Sequence, residues 1–94
     1  MELGKVKGQV VATVRDQGLA NLKLLLLDLV DTHGNVLASD QVAADLLGAG
    51  EGELVLLVRG SSARRTMGSE PPLDLCVIGI VDQVTANKTA IYKK

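Results

Sequence analysis

The chain opens on an alternating stretch. In "KVKGQVVATV", Lys5 to Val14, one side holds Val6, Gly8, Val10, Ala12 and Val14; the other holds Lys5, Lys7, Gln9, Val11 and Thr13. A period of two predicts a half-buried strand, and Gly8 within it marks a bulge or bend. "RDQGL" (Arg15 to Leu19) reads as a loop turning at Gly18. The run "LKLLLLDLVD" from Leu22 to Asp31 is apolar on both faces, broken by Lys23 and Asp28. Leucine also suits helices, but "DTHGNV" directly after it is hairpin chemistry, so a strand is predicted. Its return lies within "VLASDQVAADLL", most strand-like from Val42 to Asp45.

A third apolar strand, "ELVLLVR" (Glu53 to Arg59), is bounded by Gly52 and Gly60. Ser61 or Ser62 then suits the N-cap of one helical turn through "SARRT". "MGSEPP" is a polar, proline-punctuated loop. "LDLCVIGIVDQV" (Leu73 to Val84) predicts the strongest strand, bent at Gly79. A turn at Ala86-Asn87 leads to a last short strand through Ile91. The pattern predicts an all-β chain of five or six strands, a small closed or partly open barrel with one short helical turn. Several strands are apolar on both faces, whereas an isolated antiparallel sheet reads apolar-in and polar-out. The surplus apolar face calls for a second subunit, so homo-oligomerisation is expected.

Composition narrows the functional classes. The 94 residues predict one domain spanning 1–94, near the lower end of what folds around a single core. There is no Trp or Phe and only one Tyr, Tyr92, so Val, Leu, Ile and Ala build the core. A net charge of −1 gives no electrostatic footprint for nucleic acid or an anionic membrane. The aromatic platforms that stack single-stranded bases are missing as well. No apolar run approaches the ~18 residues that span a bilayer. "MELGKVKGQVV" lacks the apolar stretch of a secretory leader. One cysteine, Cys76, makes neither a disulfide framework nor a CxxC pair. A cytoplasmic chain is expected.

Two glycine-containing motifs invite a functional reading. A phosphate loop follows a strand and opens a helix. "GAGEGE" instead precedes a strand, carries two glutamates, and spaces Gly48, Gly50 and Gly52 wrongly for a dinucleotide fingerprint. It reads as a tight turn with positive φ values, with Gly50→Val a test of that need. "GSSARR" has two open readings. Its hydroxyls, a helix N-terminus and Arg64 with Arg65 suit an anion; alternatively it is a capped turn whose arginines pair with carboxylates across a subunit boundary. His33 falls at a hairpin tip, and Cys76 in an apolar strand reads as a small buried hydrophobe. The aspartates Asp28, Asp31, Asp45, Asp74 and Asp82 mostly punctuate strand ends and match no metal loop. No catalytic, cofactor-binding or metal-binding constellation is predicted.

In order along the chain, "GQVVATVRDQGL", "DLLGAGEGELVLLVRGSSAR" and "PLDLCVIGIVD" resemble the EutN/CcmL family, the pentameric vertex proteins of bacterial microcompartment shells. The resemblance runs from Gly8 to Asp82. It rests on Asp45 with Gly48-Ala49-Gly50, on Gly52-Glu53 leading a strand, on Gly60-Ser61-Ser62-Ala63-Arg64, and on Gly79-Ile80-Val81-Asp82. It implies a small barrel with OB-like topology, a homopentamer as its own partner, and hexameric shell proteins as neighbours in the facets. The work implied is geometric and non-enzymatic: fivefold corners close a layer that hexagons alone leave flat. From the motifs, Gly48, Ala49, Gly50, Gly52 and Glu53 are expected at a turn allowing close subunit approach. Ser61, Ser62 and Arg64 are expected at a subunit boundary or near a pore. "GSSAR" and "DLCVIGIVD" favour the ethanolamine-type branch. The competing class is an OB-like module that binds a ligand or nucleic acid as a homo-oligomer.

Overall fold

The computed structural model describes residues 1–19, 22–60, 63 and 73–94. Seven strands run in chain order: β1 (Glu2–Val10), β2 (Lys23–Val30), β3 (Val36–Asp45), β4 (Leu54–Arg59), β5 (Leu75–Ile80), β6 (Gln83–Ala86) and β7 (Thr89–Lys93). Five of them close a barrel in the order β1-β2-β3-β5-β4, with β4 returning to β1. That is the strand order of an OB-type barrel. All its pairings are antiparallel except β3 with β5, which run parallel. A parallel pair cannot be joined by a tight turn. Between the two the chain runs through β4.

Leucines of β2 pave the interior. Leu25, Leu27 and Leu29 point inward with Val6, Val55, Leu57, Leu75 and Val77 to make the main core. Gly4 sits where two of these meet: a Cβ there would lie 2.8 Å from Leu57 Cδ1 and 3.2 Å from Leu27 Cδ1. The glycine lets β1 approach a core that is already filled. A second, smaller cluster of Ala44, Ala63 and Cys76 packs with Leu22, Val58 and Leu73. Small residues there bring the helical residue Ala63 close to the sheet.

The expected bulge in β1 is present, as the register to β2 shifts between Val6 and Gly8. The strand itself begins earlier and ends at Val10, because β2 offers no partner beyond Leu24. Val14, expected on the buried side, is therefore 94% exposed. The "RDQGL" loop carries a 3-10 turn, Gln17–Leu19, whose Gly18 amide donates to the Asp16 carboxylate at 2.7 Å.

At the β2–β3 hairpin, Asp31 accepts from the His33 amide at 2.9 Å, the Asn35 amide at 2.9 Å and the Asn35 side chain at 3.1 Å. Gly34 adopts φ +87 within that turn. β3 falls within the predicted "VLASDQVAADLL" but extends well before its most strand-like part, Val42 to Asp45, because side chains of other strands hold its polar half. Asp28 accepts from the Asp40 amide at 3.0 Å, and Lys7 bridges Asp28 (3.2 Å) and Asp40 (2.6 Å). This fixes the irregularity between Leu27 and Leu29, with Asp40 at φ 57.

The long predicted strand through Val84 breaks at Val81 and Asp82. The five-stranded barrel is as expected; β6 and β7 form a separate hairpin beside it, which brings the strands among the described residues to seven. Asn87 and Lys88 at its tip take positive φ of 52 and 66, the conformation that a two-residue turn favours. Val81 donates to the Leu54 carbonyl, and the Lys94 amide to that of Asp82, each at 2.8 Å. The helical turn expected after Gly60 is described only at Ala63; Ser61, Ser62 and Arg64, and the "MGSEPP" loop, lie outside the described residues.

Candidate functional site

The segment from Asp45 to Glu53 joins β3 to β4 and holds most of the residues singled out from the sequence. Asp45 is 4% exposed, and its carboxylate collects three backbone amides. Oδ1 accepts from Leu47 at 2.9 Å and Gly48 at 3.2 Å, and Oδ2 accepts from Ala49 at 2.7 Å. The chain turns back at Gly48, φ +83, and tucks Ala49 into the main core. Gly50 then donates to Glu53 Oε1 at 2.6 Å, while the Glu53 amide donates to the Gly50 carbonyl at 3.1 Å. Gly52, φ +87, donates to the Val6 carbonyl at 2.9 Å, and Val6 donates back to the Glu53 carbonyl at 3.0 Å.

The turn is a tight, glycine-dependent one, with one correction. Positive φ belongs to Gly48 and Gly52 and not to Gly50, so Gly50→Val does not test that requirement. At Gly50 a Cβ would instead meet Glu53 Oε1 at 3.4 Å.

Backbone amides converging on a loop make an anion cradle only if they are free. Here the chain's own carboxylates already occupy them, Asp45 on one side and Glu53 on the other. That is a physical reason, beyond spacing, for rejecting a phosphate in "GAGEGE". Glu53 reaches further: Oε2 meets Lys94 Nζ at 2.6 Å and ties the C-terminal hairpin to the turn. The hydrogen bond from Lys94, then that from Gly50, holds the Glu53 carboxyl below its usual range. The same contact raises Lys94 above its ordinary value.

The remaining candidates do not meet. His33 is exposed in the β2–β3 turn, where Nδ1 lies 3.4 Å from Thr32 Oγ1. Cys76 is fully buried and pairs with Ala44, which lies opposite Leu24, at the far end of β2 from that turn. Burial, and then the Asp45 charge, push the Cys76 thiol up, away from the reactive thiolate. Among the described residues no group of three or more His, Cys, Asp or Glu converges as for a metal ion. No helix among them is long and apolar enough to cross a membrane.

Sequence reasoning placed Asp45 within a motif but missed its work in the turn. Its signal is local: an Asp followed within three residues by Gly suits a side chain capping its own downstream amides. Lys94 on Glu53 had no such signal, because 41 residues separate the two.

Comparison with known proteins accounts for the barrel and the turn together. A family model described as "Ethanolamine utilisation protein EutN/carboxysome" matches residues 1–82. The bacterial microcompartment shell vertex protein EutN of Salmonella typhimurium is 54% identical over 95 residues, covering 100% of this chain and 96% of that one. The solved structure of Gloeobacter violaceus CcmL superposes with a TM-score of 0.92 at 44% identity, covering 100% of this chain and 98% of that one. GrpN from Rhodospirillum rubrum, titled a pentameric microcompartment shell protein, superposes at 0.81 with 42% identity over 92% of this chain and 99% of its own. The motif that carries Asp45, the glycine turn and Glu53 thus sits in a barrel shared along its whole length, and the chain belongs to the EutN/CcmL family.

Proposed function

We propose that this protein is a structural vertex of a bacterial microcompartment shell in the cytoplasm, working as a closed ring of five identical subunits. The observation that carries the reading is the full-length similarity to proteins named for that role, with 54% identity to EutN and a pentameric solved relative at 42%. The chemistry of the site agrees with it. The amides of the glycine turn are spent on the chain's own carboxylates, and the thiol is buried. What the barrel leaves unspent is apolar surface, and apolar surface builds assemblies.

In this reading the protein is not an enzyme. Residues 1–94 act as one unit, with the β6–β7 hairpin tied to the barrel through Lys94. The Gly48–Glu53 turn, together with Ser61, Ser62 and Arg64, is assigned to the boundary between subunits on the strength of the motif. Hexameric shell proteins are its partners: they tile flat facets, and the pentamer supplies the corners that close them. Wedge-shaped heterologous contacts are what cyclic closure demands. The alternative, an OB-like module for ligand or nucleic acid, gains nothing from a chain with net charge −1 and a single aromatic residue.

Native mass spectrometry tests the reading. A species near five times the 9.9 kDa chain mass is expected at micromolar concentration. A stable monomer under those conditions refutes it. Co-assembly with hexameric shell proteins is expected to convert open sheets or tubes into closed particles.

A further inference from the structure

The β6–β7 hairpin, with its flanks residues 81–94, hangs from the barrel by its base. None of these residues is buried, and the two strands pair with each other rather than with the barrel. A two-stranded hairpin by itself is marginal in water. Among the described residues two hydrogen bonds join it to the barrel, and both land at the start of β4. The Val81 amide donates to the Leu54 carbonyl at 2.8 Å, and Lys94 Nζ donates to Glu53 Oε2 at 2.6 Å. The Lys94 amide also donates to the Asp82 carbonyl at 2.8 Å, which brings the two attachments together at the foot of the hairpin.

Between hairpin and barrel lies an open cleft of about 210 Å³. Ile91 and Tyr92, both half-buried, line it from the hairpin; Lys5, Val30, Leu54 and His33 line it from the barrel. Packed protein interiors leave few voids of that size, so an element standing off such a gap has room to move across it. The two attachments differ in kind. Val81 follows directly on β5, and its backbone bond makes a pivot. Lys94 lies on the returning strand, where its ion pair alone stops the hairpin turning about that pivot. Asp82 also acts on the Lys94 charge, but it belongs to the hairpin and moves with it.

We infer that the β6–β7 hairpin is a hinged arm, pivoting at Val81 over the cleft, and that the Lys94–Glu53 bridge is the latch that holds it. Both partners keep contact with water: the Lys94 side chain is 47% exposed and that of Glu53 24%. Salt therefore screens the latch. Like other exposed ion pairs, it biases the held over the released arm by about 1.5- to 5-fold. Ionic strength thus sets how far the arm is released. Glu53 spends its other oxygen on the Gly50 amide, so the arm is latched to the glycine turn itself. The device works within each chain and stands or falls apart from the vertex reading.

Tyr92 is the only aromatic residue of the chain, so tyrosine fluorescence reports on the arm alone. Acrylamide, a neutral quencher, measures access to its phenol. The full chain is compared with Lys94→Ala, Glu53→Gln and the double variant, with circular dichroism to check folding and native mass spectrometry to follow assembly. Cutting the latch is expected to raise the Tyr92 quenching constant, by up to about 5-fold. The double variant is expected to rise no further than Lys94→Ala. Added salt should bring the wild type up towards Lys94→Ala and leave that variant where it is. Should Glu53→Gln fail to fold through its bond to Gly50, Lys94→Ala and the salt titration carry the test. Unchanged quenching in Lys94→Ala overturns the inference, as do additive effects in the double variant or a wild type indifferent to salt. A rise seen only with loss of oligomer mass overturns it too, because a neighbouring chain rather than the bridge would then be what covers Tyr92.

Discussion

Replacing Asp45 by alanine removes the acceptor for three backbone amides at once. They are not equal losses. Leu47 and Gly48 stand at the surface, so water takes over their amides, at roughly 0.5–1 kcal/mol each. Ala49 is in the core, and leaving its amide without an acceptor costs about 1–3 kcal/mol more. Together the variant is expected to lose about 2–5 kcal/mol, a drop in thermal midpoint on the order of 10–40 °C for a domain of this size. Asp45→Asn sharpens the test. Its carbonyl can still accept from Leu47 and Gly48, but its amino group then faces the Ala49 amide, donor against donor. Its loss should fall between wild type and Asp45→Ala. Differential scanning calorimetry at one fixed protein concentration is the assay, since ring assembly makes the midpoint concentration-dependent. An Asp45→Ala midpoint within about 2 °C of wild type would refute the claim that this carboxylate organises the turn.

Gly48→Ala is expected to cost about 1–2 kcal/mol from backbone strain alone, since a Cβ there meets nothing within 4 Å. Gly50→Ala, free of that strain, should cost less; equal losses in urea unfolding would count against the φ argument. Acid titration of the thermal midpoint reads Glu53. Its folded carboxyl binds a proton less readily than the unfolded one. Its stabilisation is therefore whole above the ordinary 4.5 and lost as pH falls through the lower folded value. Glu53→Gln should flatten that limb, with Asp28 and Asp31, both lowered as well, supplying the slope that remains. At the alkaline side the Lys94 contribution is whole below the ordinary 10.5 and fades as pH rises past it.

What was legible in the sequence is what neighbouring residues decide. The strand from Lys23 to Val30 could be read because six apolar residues are followed by Asp31, Gly34 and Asn35, which build the hairpin by themselves. The glycine turn could be read for the same reason. The extent of β3 could not, because Ala38 to Gln41 look like a loop until Lys7 and Asp28 arrive from two other strands. Nor could the fate of Val14, which depends on where β2 stops offering partners. The break at Val81 and Asp82 is set by bonds to Leu54 and Lys94, both distant in sequence. The boundary roles proposed for the glycine turn and for Ser61, Ser62 and Arg64 would depend on a neighbour that a single chain does not contain.

The parallel junction of β3 and β5 is only two residue pairs long, Ala44 with Cys76 and Asp45 with Val77. The β1–β2 ladder, by contrast, runs from Leu3 to Val10. A barrel fluctuates open along its shortest ladder, so this seam is where breathing motions begin. Asp45 belongs to the seam and to the turn at once. When the seam parts, the carboxylate that gathers residues 47–49 moves with it, and their amides become exchangeable in the same event. Solvent hydrogen should therefore enter the glycine turn and the seam as one cooperative unit, well before it reaches the leucine-lined half of the barrel.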